Sequence, residues 1–206
     1  MENEQLKIFD ENRNQIGVAS REEVHRLGYW HEAFHCWFIS KENGTNYLHL
    51  QLRSNTKKDY PNLLDITAAG HLLADETVKD GVREIKEEIG IDVLFEELLP
   101  LGVIDYCVIN GNFIDKEIAN VFLYICENTL ESFTLQAEEV SGIVKAEFND
   151  FTELWLGERE TIEIKGFGIN DGNKTLIEEY VGRDKFVPHQ ISFYKSIIQK
   201  INDQIK

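Results

Sequence analysis

The sequence predicts a mixed α/β fold, a sheet packed against helices, and three observations carry that expectation. Aromatic and apolar residues alternate over strand-length runs at Ala33 to Ile39 and Tyr47 to Leu52, with the turn dipeptide Asn43-Gly44 between them. Val78, Val82, Ile85 and Ile89 recur at helical spacing and stop at Gly90. Further strand-like runs follow, around Val93, from Leu101 to Val108 and from Ile118 to Ile125. Strand, loop, helix and more strands is an α/β order, with the mixed α+β character of a sheet that also contains hairpins.

Leu6 to Ala19 reads as an N-terminal hairpin, Lys7-Ile8-Phe9 and Ile16-Gly17-Val18 flanking the polar turn Asp10 to Asn14. Ser20 and Glu23 form a capping box that starts a short helix through Leu27, closed by Gly28. Asp65 to Ala69 leads into a Gly70-His71 loop ahead of the central helix, and Glu138 to Phe148 reads as a late loop and strand. The tail from Phe186 to Ile205 carries Ile191, Tyr194, Ile197, Ile198 and Ile201 at helical spacing, so a terminal amphipathic helix is expected.

At 206 residues and 42% hydrophobic content the chain can bury one full core. The expected organisation is a single domain over 1–206, with a hairpin and short helix at 1–29, a core at 30–165 and a C-terminal extension at 166–206. A net charge of -16 repels a nucleic-acid backbone, and the basic groups at Lys57-Lys58 and at Lys200 and Lys206 are too short to reverse that. Cys36, Cys107 and Cys126 are too few and too apolar in context for a disulfide framework or zinc ribbon. The N-terminus lacks a secretory pattern, and no apolar run approaches the roughly 20 residues that span a bilayer. The expectation is a cytoplasmic protein without membrane or nucleic-acid partners.

The chemistry concentrates in Arg83-Glu84-Ile85-Lys86-Glu87-Glu88-Ile89-Gly90. Residues three and four apart share a helix face, so Glu84, Glu87 and Glu88 form one acidic cluster opposite the apolar stripe. An acidic helix face is usually a solvated one. Here a Gly-His loop precedes the helix and a glycine ends it, which favours a site. Clustered carboxylates repel one another, and a hard divalent cation, which prefers oxygen ligands, removes that cost.

The segment resembles the box of the Nudix hydrolases: Gly, five residues, Glu, seven residues, Arg-Glu, an aliphatic, any residue, Glu-Glu, any residue, Gly, an aliphatic. Arg83 to Ile91 fits every defined position. The first half departs by one residue. Gly70 and Glu76 have the family spacing but only six residues separate Glu76 from Arg83, whereas counting back from Arg83 selects Asp75 and Ala69. Both Glu76 and Asp75 therefore stand as the supporting acid. The resemblance implies an α/β/α sandwich with a mixed sheet. It also implies Mg²⁺, or Mn²⁺, on Glu84, Glu87 and Glu88 near the Gly70 backbone, with Arg83 orienting a glutamate. Catalysis is thus assigned to Glu84, Glu87, Glu88 and Arg83, and the base to Glu87, Glu138 or Glu139. The implied reaction is water attack on phosphorus in a small diphosphate-linked metabolite. Expected partners are that substrate and, as an open option, a second copy in a homodimer.

A further resemblance, through Arg21, His25, Gly28, Trp30-His31, Ala33-Phe34-His35, Trp37, Lys57, Tyr60-Pro61 and Ala69-Gly70-His71, is to the Nudix branch containing isopentenyl-diphosphate isomerase. It implies a second metal site at His25, His31, His71, Asp115 and Glu117. That isomerase family places a proton-transferring cysteine directly before its Gly-His pair. Ala69 stands there and cannot transfer a proton, so the isomerase is the disfavoured alternative. A non-catalytic diphosphate-ligand sensor is the other alternative, opposed by retention of all three carboxylates. His35, His49 and His189 are expected to be structural; Trp30, Tyr60 and Tyr106 are expected to fill the core, with stacking on a substrate base as the alternative.

Overall fold

The computed structural model describes residues 4–170 and 172–205; Lys206 lies outside them. The N-terminal hairpin pairs β1 (Gln5–Phe9) with β2 (Gln15–Ser20). In α1 (Arg21–Leu27) the Ser20 hydroxyl accepts the Glu23 amide at 3.3 Å, and Gly28, at φ 68°, closes the helix. β3 (Trp30–Glu42) and β4 (Thr45–Arg53) pair antiparallel across Asn43 and Gly44, whose φ values of 49° and 90° are those of a primed hairpin turn.

Two short strands follow, β5 (Leu64–Asp65) on β4 and β6 (Ala68–His71) on β3. A 3-10 turn at Asp80–Val82 runs into α2 (Arg83–Ile89), capped by Gly90. The long hairpin β7 (Leu99–Asn110) and β8 (Phe113–Ile125) lays β8 parallel to β3, which makes the sheet mixed. β9 (Val140–Glu147) pairs with β4 and leads into α3 (Phe148–Leu156). A hairpin of β10 (Ile162–Asn170) and β11 (Asn173–Val181) extends the sheet, and α4 (Ile191–Gln204) ends the chain.

Alternation along β3 sorts the core into two layers. Phe34, Cys36 and Phe38 pack with Ile85 and Ile89 of α2, while Trp37 and Ile39 face Phe151 and Trp155 of α3 and Tyr194 and Ile197 of α4. The sheet is thus covered on both faces. Each fully buried large side chain contributes about 1.5–3 kcal/mol, and Trp155 stacked on Tyr194 at 3.6 Å ties the last helix to α3. No helix among the described residues is long and apolar enough to cross a membrane.

Several local expectations differ. Val93 lies in irregular chain before a 3-10 turn at Phe95–Glu97 and forms no strand. Ile191 opens α4 at 48% exposure, and the buried stripe begins at Phe193. The boundary drawn at residue 165 falls inside β10. α3 and the β10–β11 hairpin were absent from the expected elements.

His49 is structural, its Nε2 2.8 Å from the Ser40 hydroxyl. Burial, with the Lys145 charge adding to it, pushes its pKa down to about 4. The unfolded chain, near 6.5, takes up the proton first on acidification. The stability linked to a neutral His49 is whole above about pH 6.5 and lost as pH falls through about 4, on the order of 3 kcal/mol in all. Urea titrations at pH 7 and 4.5 are expected to show a larger loss in wild type than in His49→Gln.

Candidate active site

β3 is the hub of the site because its register is fixed on both sides. Its pairing with β6 sets Ala33 opposite His71 and Phe34 opposite Gly70, and its pairing with β8 sets His31 opposite Glu117. α2, seated on β6, brings its acidic face to the same place. A cavity of about 340 Å³ opens there and is lined by α2, the β6 strand, α1 and the ends of β7 and β8.

Glu88 is 5% exposed and its Oε2 accepts the Ala69 amide at 3.0 Å. Burial, then the charge of Glu84, pushes the Glu88 carboxyl up to about 8. Burial likewise raises Glu84 to about 7, with Glu87 adding to the effect. Glu87 sits at the rim, 54% exposed, and accepts from Arg83 at 3.0 Å. Arg83 grips Glu76 with two donors, Nε to Oε1 at 2.5 Å and Nη2 to Oε2 at 3.0 Å, and also contacts Glu84 at 2.6 Å. Glu76 in turn accepts the Leu73 amide at 2.8 Å, whereas Asp75 is exposed. The partner of Arg83 is therefore the acid at the family spacing from Gly70.

Gly70 leaves room for this cluster. A Cβ on it would lie 2.2 Å from the Glu84 carboxyl carbon. One buried and one part-buried carboxylate with raised pKa values, a third at the rim and a glycine backbone beside them form an all-oxygen donor set that suits a hard divalent cation.

Beside it the rings of His25, His31 and His71 lie 4.9–5.2 Å apart, centroid to centroid. His25 Nδ1 is 2.8 Å from the Arg21 carbonyl and His31 Nδ1 3.2 Å from the Tyr29 carbonyl, so both rings can donate there and leave Nε2 as the lone-pair nitrogen. Both Nε2 atoms stand 3.5 Å from Asp115 Oδ1, and all three atoms are buried without a hydrogen-bond partner. One ligand atom from each of His25, His31, His71 and Asp115 lies within 4.8 Å of the others, a set able to hold a metal. Burial, then the His71 charge, lowers His31 to about 4, keeping it a neutral donor.

Glu117 does not join this set. Its Oε2 lies 2.8 Å from His35 Nε2, and against the cost of burial the His35 charge holds its carboxyl well below the usual range. Glu138 is exposed and outside the cavity, which removes it from the base candidates, while Glu139 lines the cavity and pairs with Lys57. Trp30 does not line the cavity and donates to Glu11 at 2.7 Å, but Tyr60 and Tyr106 do line it.

Sequence reasoning missed the role of His35, Asp65 and His189 in the wall and of Arg21 and Arg53 as cavity cations. None sits in a dense motif. Only the sheet register and the docking of the C-terminal segment bring them in.

No family model matches the chain. It is 38% identical over 204 residues to an uncharacterized Nudix hydrolase of Clostridium acetobutylicum, covering 98% of this chain and 99% of that one. It is 28% identical over 152 residues to an isopentenyl-diphosphate Delta-isomerase of Saccharopolyspora erythraea, covering 72% and 75% respectively. Among solved structures, a Nudix hydrolase from M. smegmatis superposes with a TM-score of 0.53 at 11% identity over 97% of this chain and 96% of that one, a likeness of fold. With the carboxylate helix in place and near full-length similarity to a family member, the chain belongs to the Nudix hydrolase superfamily and is an enzyme of the pyrophosphohydrolase type.

Proposed function

We propose that the enzyme uses Mg²⁺, with Mn²⁺ as a substitute, to hydrolyse a small diphosphate-linked metabolite by attack of water on phosphorus. The observation that carries this is the pair of buried Glu88 and part-buried Glu84, raised to about 8 and 7, facing a cavity that also holds Arg21, Arg53 and Lys57. Carboxylates kept so close without a cation would be costly, and the cations of the wall suit an anionic substrate.

Glu84, Glu87, Glu88 and the Gly70 carbonyl are the proposed ligands. A bound divalent cation supplies charge neutralisation of the phosphate and a more acidic water, worth several kcal/mol of barrier. Arg83, fixed by Glu76, holds Glu84 and Glu87 in orientation. Glu139 or Glu87 accepts the proton of the attacking water, and Arg21 and Lys57 orient the diphosphate. A panel of small diphosphates assayed for phosphate and pyrophosphate release is expected to give activity with Mg²⁺ and none with EDTA. Activity unaffected by chelation would refute the proposal.

A second cation is proposed at His25, His31, His71 and Asp115, through neutral imidazole nitrogens. His71→Ala is expected to lower kcat/KM roughly 10–100-fold, the usual cost of disturbing a ligand set, while His49→Ala stays within about twofold. Equal effects of the two variants would dismiss the second site.

The histidine cluster and the similarity to an isomerase keep isomerisation as the runner-up. Ala69 opposes it, because a methyl group stands where a thiol would move the proton. Purified protein given isopentenyl diphosphate is expected to yield no allylic isomer. Efficient allylic product would restore the runner-up.

A further inference from the structure

The segment between β11 and α4 reaches the cavity wall at Val187 and His189. Phe186 forms a parallel bridge to Leu64, and the Val187 amide donates to the Leu64 carbonyl at 2.9 Å. This docking sets His189 against Asp65, Nε2 to Oδ1 at 3.1 Å, with both residues buried. Asp65 uses its other oxygen to accept from Arg53 Nη1 at 2.8 Å. The remaining Arg53 donors go to backbone: Nη2 to the Asp59 carbonyl at 2.9 Å, and Nε to the Asp59 and Tyr60 carbonyls at 3.2 Å each.

That backbone needs holding. Tyr60 and Asn62 adopt φ values of 52° and 60°, a left-handed conformation that costs a residue with a Cβ roughly 1–2 kcal/mol. The loop 54–63 places Lys57, Asp59 and Tyr60 in the cavity wall. Burial opposes a charge on Asp65, yet the His189 hydrogen bond and the Arg53 charge hold its carboxyl at about 2, so the anchor of Arg53 stays ionised. The chain of contacts runs from the C-terminal segment to the substrate wall without a gap.

We infer that His189 is a positioning residue: through Asp65 and Arg53 it fixes the 54–63 loop, so the C-terminal segment sets the affinity of the site for its diphosphate without touching the reacting phosphorus. The affinity half rests on the proposed function; the loop half does not. Packing is the competing role, since His189 also contacts Phe193 at 4.8 Å and Tyr106 at 5.1 Å, ring centre to ring centre. Two variants separate the roles. His189→Phe keeps a ring and loses the donor, and His189→Gln keeps a donor and loses the ring.

Hydrogen exchange on the full-length chain is expected to quicken about tenfold in residues 54–63 of His189→Phe and to stay unchanged in α3 and β9, while His189→Gln remains within about twofold of wild type. Arg53→Ala should loosen the same loop. Binding of inorganic pyrophosphate with Mg²⁺, measured by calorimetry, is expected to weaken about tenfold in His189→Phe and to recover in His189→Gln. Wild-type exchange in the His189→Phe loop overturns the inference, as does loss of protection throughout the chain, failure to fold, or absence of rescue by His189→Gln. If wild type binds no pyrophosphate, the diphosphate assignment fails, and the exchange result still decides whether His189 positions the loop.

Discussion

Glu88→Gln is expected to lower turnover on the order of a thousandfold, about 4 kcal/mol of barrier, at saturating Mg²⁺. The amide keeps the shape of the side chain and can still accept the Ala69 amide, but it lacks the charge that a cation needs. Folding should not suffer. Burial and Glu84 already push the Glu88 carboxyl up to about 8, so ionising it in the cation-free protein is a cost that the neutral amide avoids. With EDTA present, the melting temperature of Glu88→Gln should therefore equal or exceed that of wild type. The check is kcat on the best diphosphate of the panel together with a thermal melt. Near-normal turnover would refute the role of Glu88.

Gly70→Ala is expected to cost roughly a hundredfold in kcat/KM, the scale of a misplacement of about 1 Å in a catalytic group. The added Cβ would lie 2.2 Å from the Glu84 carboxyl carbon and 2.3 Å from its Oε1, so the carboxylate must move. It cannot move freely, because Arg83 Nη1 holds Oε1 at 2.6 Å. Gly70 does not have a positive φ, so alanine strains no backbone there and the damage should stay in the site. Activity within threefold of wild type would show that Glu84 tolerates displacement and is not held in a working position.

The parts legible in the sequence were those written in local pattern. Ser20-x-x-Glu23 and Gly28 gave α1 with its caps, Asn43-Gly44 gave the β3–β4 turn, and the Arg83 to Gly90 run gave the acidic helix. α3 was equally written in Phe148, Phe151, Leu154 and Trp155 at helical spacing, with Gly157 as its stop. Val93 shows the converse error: Ile91, Val93 and Phe95 alternate as in a strand, yet they pack beside Ile85 and Ile89 as irregular chain leading into a 3-10 turn.

Site residues gathered by tertiary register were harder. His25, His31 and His71 could be grouped only through a family likeness, and the physical cause of their meeting is the double pairing of β3 with β6 and β8. Glu117 was grouped with Asp115 through the same likeness; period-two spacing puts both on one face of β8, yet roughly 7 Å of strand separates them, enough to give them different histidines. Nothing local marks Asp65 or His189, which are 124 positions apart and meet only when the C-terminal segment docks.

The central claim is that α2 and Gly70 hold the catalytic cation, and the most direct test is anomalous scattering from Mn²⁺ in crystals of wild type and Glu88→Gln. The expected result is a peak at roughly 2–2.6 Å from carboxylate oxygens of Glu84 and Glu88 and the Gly70 carbonyl, lost or much weakened in Glu88→Gln. A peak among His25, His31, His71 and Asp115 alone, with none on α2 in either crystal, would contradict it.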